Sequence, residues 1–334
     1  MVCVRSLTYN HKDFITDALN GFIIQETEFP YVVCVLDDAS TDGTQDVIKS
    51  YVAEQFDIHD SSIAYERETE YAYITYAQHK TNRNCYIVVH YLKYNHYQIG
   101  KKKVPYLAEW RNCVKYEALC EGDDYWIDPK KLQKQVNVLE TNEDVGFVYT
   151  AFNVVDLYCN EIKYPYAEKH MGRSFSGDHF LALLYDNFPQ TLTVMFRKSL
   201  YDEKQLINGI DYSLFLSLSL STKFMYLNEK TGVYRINPLG MMQSGSVSQM
   251  DFHQLRLYYL GQYFANKRYR RSFVDHLYIC KYFLFHQCHL ERYRKYQSLF
   301  SVIFDNNHII KFLFPLGLIS SSIVSIKQKY EKYD

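Results

Sequence analysis

The 334-residue chain is 47% hydrophobic and 22% charged, which excludes an intrinsically disordered polypeptide and leaves room for one large domain or two smaller ones. A net charge of −1 excludes a uniformly basic nucleic-acid binder, yet the charge is uneven: residues 252–334 carry a net +8 and the remainder a net −9. The 8 cysteines include no C-x-x-C pair, which excludes the common zinc spacings and argues for reduced, cytosolic thiols.

Residues 2–7 read as a first strand that follows Met1 directly, without a secretory leader, and Thr8-Tyr9-Asn10-His11 as the loop after it. Phe14, Ile15, Ala18, Leu19, Phe22 and Ile23 then fall on one stripe at helical spacing. Pro30 breaks the chain before Tyr31–Leu36, a continuous apolar, β-branched run of the kind found in strands covered on both faces of a parallel sheet. That run leads into Asp37-Asp38-Ala39-Ser40-Thr41-Asp42-Gly43-Thr44, after which a second helix turns Val47, Ile48, Tyr51 and Val52 inward. Strand, helix, strand, helix in this order predicts an α/β fold built from right-handed βαβ units. Asp37 and Asp38 therefore stand at the edge of the sheet where such folds bind ligands, and a base N–H or a ribose hydroxyl could donate to them. Ordinary turn chemistry accounts for the same residues.

Residues 57–112, rich in Tyr, His, Asn and Lys, predict a mostly solvated, irregular insertion with one strand at 86–92. Asn82-Arg83-Asn84, Asn95-His96 and Lys101-Lys102-Lys103 are its candidates for meeting a sugar or phosphate, and its histidines fit no common metal pattern. Next comes the stretch that organises the chain, Cys120-Glu121-Gly122-Asp123-Asp124-Tyr125-Trp126, placed between an apolar strand at 116–119 and a helix start. Asp128 is suited to cap that helix and Pro129 to occupy its first turn. Carboxylates this close repel one another unless a cation lies among them, and hard oxygen donors select Mg²⁺ or Mn²⁺. A loop that merely caps the next helix would need one Asp, not this many.

Beyond it, Leu132, Val136 and Leu139 mark a helix, 145–152 a strand, 178–186 a helix and 191–197 another strand. Asp211 opens a strongly apolar helix, where its carboxylate complements the helix dipole or serves as a general base. Short strands are expected at 224–227 and 232–236, then a Gly- and Ser-rich loop from Gly240 to Ser248 able to close over a phosphate-bearing ligand. Residues 252–300 read as helical, basic and aromatic-rich, and 312–326 is apolar but shorter than the ~20 residues a membrane span requires. An interfacial segment with basic anchors and a helical appendage packed on the main domain both fit this tail.

Taken together, Tyr9-Asn10, Asp37-Asp38 with Ser40-Thr41-Asp42-Gly43-Thr44, Glu121-Gly122-Asp123-Asp124, Gly209-Ile210-Asp211-Tyr212 and Tyr234-Arg235-Ile236 resemble glycosyltransferase family 2 and its GT-A fold. The resemblance spans residues 1 to about 250, leaving 251–334 as a separate tail. The run Glu121–Trp126, Asp128-Pro129 and Lys131–Val136 resembles bacterial members that build surface polysaccharides. The resemblance implies a mostly parallel mixed sheet with flanking helices, a nucleotide-sugar donor (UDP foremost), and a saccharide or lipid-linked acceptor. It implies Tyr9, Asp37 and Asp38 at the base, Asp123 and Asp124 holding Mn²⁺ or Mg²⁺ on the diphosphate, Arg235 near the leaving group, and Asp211 as the base of an inverting transfer. It also implies a place in the cytoplasm or on the inner face of the cytoplasmic membrane.

The chain departs from the family pattern where Glu121 replaces the usual first acid and Val114 a frequent glycine, and in the long stretch between Tyr51 and Lys115. No Gln-x-x-Arg-Trp follows Asp211, which points to single additions over processive synthesis. A sugar nucleotidyltransferase would carry a glycine-rich loop where this chain has Ser6–Asn10, and a non-catalytic saccharide-binding protein on the same fold would not need Asp211.

Overall fold

The computed structural model describes residues 1–201, 211–238, 255–256, 258–260 and 262–263. The chain divides into two compact units, Met1–Leu255 and Arg256–Asp334, and the first carries the sheet and its flanking helices. The loop at 240–248 and the apolar segment at 312–326 lie outside the described residues.

The two apolar runs near the N-terminus form β1 (Val2–Thr8) and β2 (Tyr31–Asp37), paired in parallel from Val2 opposite Tyr31 to Thr8 opposite Asp37. Every residue of β2 is buried, because helices and turns cover both faces of the sheet. Between the strands, α1 (Ile15–Ile23) buries Ile15, Ala18, Leu19 and Phe22, the stripe predicted from spacing. After β2, α2 (Thr44–Gln55) turns Ile48, Tyr51 and Val52 into the same core.

Residues 57–112 are not an irregular insertion. They supply β3 (Tyr65–Glu68), β4 (Ala72–Gln78) and β5 (Cys85–Leu92), followed by the short helix α3 (Ala108–Arg111). β5 joins β2 in parallel, and β4 and β3 extend the sheet in antiparallel fashion to its edge. Their tyrosines explain both the sequence impression and the structure: Tyr65, Tyr76 and Trp110 stack as a half-buried layer, with Tyr65 and Tyr76 centroids 5.2 Å apart and Tyr76 and Trp110 centroids 4.8 Å apart.

On the other side of β1 lies β6 (Tyr116–Leu119), again parallel. The chain continues through β7 (Tyr125–Trp126), α4 (Lys131–Thr141), β8 (Val145–Val155), α5 (Pro165–Arg173), α6 (Phe180–Tyr185), β9 (Met195–Arg197), α7 (Asp211–Ser219) and β10 (Lys223–Arg235). Among the described residues the sheet has ten strands in the order β3-β4-β5-β2-β1-β6-β9-β8-β10-β7. It is parallel through β5-β2-β1-β6 and between β8 and β10, and antiparallel at both edges and where β9 inserts. This is the mixed α/β architecture expected, with the parallel strands at its centre.

Three local expectations change. The strand anticipated at 191–197 is a 3₁₀ turn, Thr191–Thr193, followed by the short β9. The two strands anticipated around 224–236 are one strand, β10, whose register slips at Leu227–Lys230 and Lys230–Gly232. Asp128 does not cap α4, which starts at Lys131. Instead its Oδ1 accepts from Lys130 N at 2.9 Å and its Oδ2 from Lys134 Nζ at 2.8 Å, closing the turn before the helix.

One polar cluster is buried beneath this framework. Glu117 on β6 is wholly buried, with Arg5 Nε at 3.2 Å from one carboxylate oxygen and Arg111 NH2 at 2.9 Å from the other. A buried carboxylate so far from water requires such partners.

Candidate active site

The loops after β1, β2 and β6 lie at one edge of the parallel strands, and the first two are stitched together. Asn10 N donates to Ser40 Oγ at 2.9 Å, Thr41 N to Asn10 Oδ1 at 2.8 Å, His11 N to Thr44 Oγ1 at 2.9 Å and Lys12 N to Asp42 Oδ2 at 3.0 Å. Asn10 and Ala39 both hold positive φ, 56° and 59°, which the tight crossing of the two loops imposes on them. Tyr9 projects outward and is 38% exposed, free to pack against a planar ligand.

Asp37 and Asp38 are both buried and both engaged. Asp37 accepts from Ser40 N at 3.0 Å, from the Ser40 hydroxyl, and from Gln45 Nε2 at 2.6 Å. Burial still raises its carboxyl above the ordinary range, against the pull of these donors. Asp38 accepts from His96 N at 2.7 Å, Tyr97 N at 3.1 Å and Lys103 Nζ at 2.7 Å, while its carbonyl accepts from Asn95 Nδ2 at 3.1 Å. Asp38 thus holds the 95–103 loop against the sheet edge, a task not visible in its motif.

The turn after β6 is different. Its backbone is pinned by Cys120 N to Arg5 O at 3.1 Å and Gly122 N to Leu7 O at 3.0 Å. Gly122 is required by closeness: a Cβ there would lie 2.6 Å from Thr8 Oγ1 and 2.9 Å from His11 Nδ1. The carboxylates of the turn have few donors of their own. Glu121 is pushed up to about 8 by burial, with the charges of Asp211 and Asp123 adding to it and that of Arg5 opposing. Asp124, buried, is raised well above the usual carboxylate range by burial and then by Asp123. Its Oδ1 accepts from Arg235 N at 2.9 Å, so it ties the turn to β10. Asp123 is half-buried, with His11 Nε2 at 3.6 Å and Asn237 Nδ2 at 3.3 Å from its Oδ2.

Arg235 is almost wholly buried. Its guanidinium donates through NH2 to Asp17 Oδ2 at 2.6 Å and through NH1 to the Asp123 carbonyl at 3.2 Å, with Phe14 and Tyr125 against its faces. It braces the acidic turn from behind. Asp211 begins α7, and Thr191 Oγ1 donates to its Oδ2 at 2.6 Å. Trp126, two residues after the turn, donates through Nε1 to the carbonyl of Leu192, the residue after Thr191, so the start of α7 is tied to the acidic segment.

The candidate site therefore has the Glu121–Asp124 turn braced by Arg235, Asp211 tied to the same segment through Thr191, Leu192 and Trp126, and Asp37 and Asp38 along the same edge. Lys103, a sequence candidate for meeting a sugar or phosphate, is bound to Asp38. His11, Asn237 and Thr191 were not singled out by sequence. Each reaches the site from a separate loop or turn, and only their place in the fold identifies them.

No group of three His, Cys, Asp or Glu side chains among the described residues forms a ready-made metal cage. The donor set nonetheless fits a hard divalent cation. Such an ion is commonly held by one or two carboxylates and completed by water and substrate phosphates. The mutual repulsion in the turn is the kind that a cation relieves.

Residues 4–87 match the family model described as Glycosyl transferase family 2. The chain is 30% identical over 256 residues to the uncharacterized protein Rv1520 of Mycobacterium tuberculosis, and equally to the uncharacterized protein Mb1547 of Mycobacterium bovis. These matches cover 76% of this chain, and the chain spans 64% of the length of those relatives. Its fold is similar to that of Staphylococcus aureus TarS residues 1–349 in complex with UDP-GlcNAc, with a TM-score of 0.55 and 16% identity over 85% of this chain and 72% of that one. The same protein in complex with UDP gives 0.52, 14%, 85% and 71%. The fold is GT-A. Among the described residues no helix is long and apolar enough to cross a membrane.

Proposed function

We propose that this protein is a metal-dependent, inverting glycosyltransferase that moves a single sugar from a nucleotide donor to a saccharide or lipid-linked acceptor. The observation that carries the reading is the acidic Glu121–Asp124 turn at the carboxyl edge of the parallel strands, linked through Trp126 and the Thr191–Thr193 turn to Asp211. The UDP-GlcNAc complex of TarS, alike in fold, supports UDP as the nucleotide. The surface-polysaccharide setting rests on sequence resemblance, and the basic tail is the part of the chain that would meet a membrane surface.

In this reading the nucleoside lies along the loops after β1 and β2. Tyr9 packs on the base, and Asp37 and the Asp38-anchored loop flank it. Asp123 would hold Mn²⁺ or Mg²⁺ together with Asp124 or Glu121. When bound, the ion neutralises charge that develops on the departing diphosphate. Asp211 takes the proton from the acceptor hydroxyl as its oxygen bonds to the anomeric carbon. The bond from that carbon to the nucleoside diphosphate breaks on the opposite face, which inverts configuration. Arg235 keeps the turn in place from behind.

The test is thermal unfolding with UDP, GDP and other nucleoside diphosphates, each with and without Mn²⁺, because a ligand specific for the folded state raises its melting point. A Mn²⁺-dependent rise with UDP is expected, together with turnover in the wild type and a loss of about a thousandfold in Asp211→Asn that spares donor binding. A protein indifferent to every nucleotide would overturn the donor reading. One that binds UDP but turns over equally well as Asp211→Asn would overturn the assignment of the base.

A further inference from the structure

Trp126, Lys131 and Gln135 follow the acidic turn closely, are all buried, and have no part in the proposed chemistry. A lysine ammonium is costly to bury, and burial lowers Lys131 to about 7. Its surroundings show what it holds. Lys131 Nζ donates to Gln135 Oε1 at 2.5 Å, approaches the Thr193 carbonyl oxygen at 3.4 Å, and lies 4.5 Å from the centre of the Trp126 ring. Gln135 Nε2 donates to the same Thr193 carbonyl at 2.8 Å, and Trp126 Nε1 to the Leu192 carbonyl at 2.8 Å.

These contacts converge on the 3₁₀ turn Thr191–Thr193, which is too short to fix itself by its own ladder. Side chains from the segment that carries the acidic turn hold two successive carbonyls of it. The turn in its own right presents one group to the site, the Thr191 hydroxyl that donates to Asp211 Oδ2 at 2.6 Å. A threonine is suited to this because its β-branch restricts χ1.

We infer that Thr191 is a positioning residue for Asp211, and that the Trp126–Lys131–Gln135 clamp fixes Thr191 in turn. The inference rests on Asp211 as the base. A bond to Oδ2 selects one orientation of the carboxylate and leaves Oδ1 to receive the acceptor proton. Because the clamp belongs to the same segment as Glu121 and Asp123, the donor end and the base share one rigid seat. Errors in their separation are costly, since a misplacement of about 1 Å can cost on the order of a hundredfold in rate.

The test compares Thr191→Val, Thr191→Ser, Asp211→Asn, Thr191→Val/Asp211→Asn and Gln135→Leu in the full chain. The probe is a panel of UDP- and GDP-sugars with Mn²⁺, read as nucleoside diphosphate released. Thr191→Val is expected to lower kcat roughly 10- to 100-fold while donor KM and melting temperature stay near wild type. Thr191→Ser should recover most of the loss, Gln135→Leu should lower kcat more than it raises KM, and Thr191→Val should add nothing in the Asp211→Asn background. Thr191→Val at wild-type kcat, beside a collapsed Asp211→Asn, would overturn this inference alone. Full turnover in Asp211→Asn would overturn the base and its seat together. A further loss from Thr191→Val in the absence of the Asp211 carboxylate would show that the hydroxyl acts elsewhere, and would also overturn it.

Discussion

Two acidic groups stand at the same edge of one sheet and are treated in opposite ways. Asp38 is supplied with two backbone N–H groups and the Lys103 ammonium, and Asp37 with Ser40 and Gln45. Glu121, Asp123 and Asp124 instead crowd into one turn, and burial drives Glu121 and Asp124 upward. Asp38 is met by an ammonium and Asp37 by neutral donors that only partly offset its burial, whereas the second group has few donors of its own. The same residue type in neighbouring loops is thus held by dense hydrogen bonding in one place and left with few donors in the other.

Replacing members of each group is the most direct way to break this contrast. Asp123→Asn should lower Mn²⁺-dependent turnover by about 10²- to 10³-fold and remove the Mn²⁺-dependent stabilisation by UDP. The melting point of the unliganded protein should hold or rise, because one repelling charge is gone. A fall of several degrees would mean that Asp123, like Asp38, is a structural acid.

Acid separates both groups from a background common to the whole domain. His90 on β5 and His179 before α6 are buried and lowered to about 4, His90 by burial and by the charge of Arg67, and His179 by burial. They stay neutral in the folded state and take protons on unfolding below their ordinary value of about 6.5. Their contribution is therefore complete above pH 6.5 and lost as pH falls toward 4, at about 3 kcal/mol each in the acid limit. Urea unfolding between pH 7.5 and 4 checks this: stability that stays level over that range would contradict it.

A smaller effect follows from Asp38→Ala, which strands the donors of the 95–103 loop. About 2 kcal/mol of stability should be lost, equally with and without Mn²⁺. A loss that appears only with nucleotide bound would instead make Asp38 a ligand contact. The smallest effect is at Ala39, held at φ 59°, where Ala39→Gly should gain up to about 1 kcal/mol in chemical unfolding.

How much of this could be read from the sequence depended on where each residue's partners lie. β1, β2 and the stripe of α1 were legible because continuous apolar runs and helical spacing are local signals of burial. β3 and β4 were not, since an edge pair bearing Tyr, Glu and Arg looks like solvated chain until the stacked aromatic layer is seen. Thr191–Thr193 was mistaken for strand because threonine favours strands, while the contacts that fold it into a turn come from residues about sixty positions earlier. The acidic turn and Asp211 were found as motifs. Their orientation was not, because it depends on Thr191, Arg235 and Asn237, each placed by tertiary contacts.

The edges of the sheet have a consequence for solubility. A ten-stranded sheet that ended in a long bare strand would offer a template for pairing with another chain. Among the described residues one border is β3, only 4 residues long, with Glu66, Arg67 and Glu68 all exposed, and the other is β7, only 2 residues long. A foreign strand arriving at either border would find few backbone partners, and at β3 it would also meet charges of both signs. The sheet is guarded against edge-to-edge aggregation by the brevity of its outermost strands.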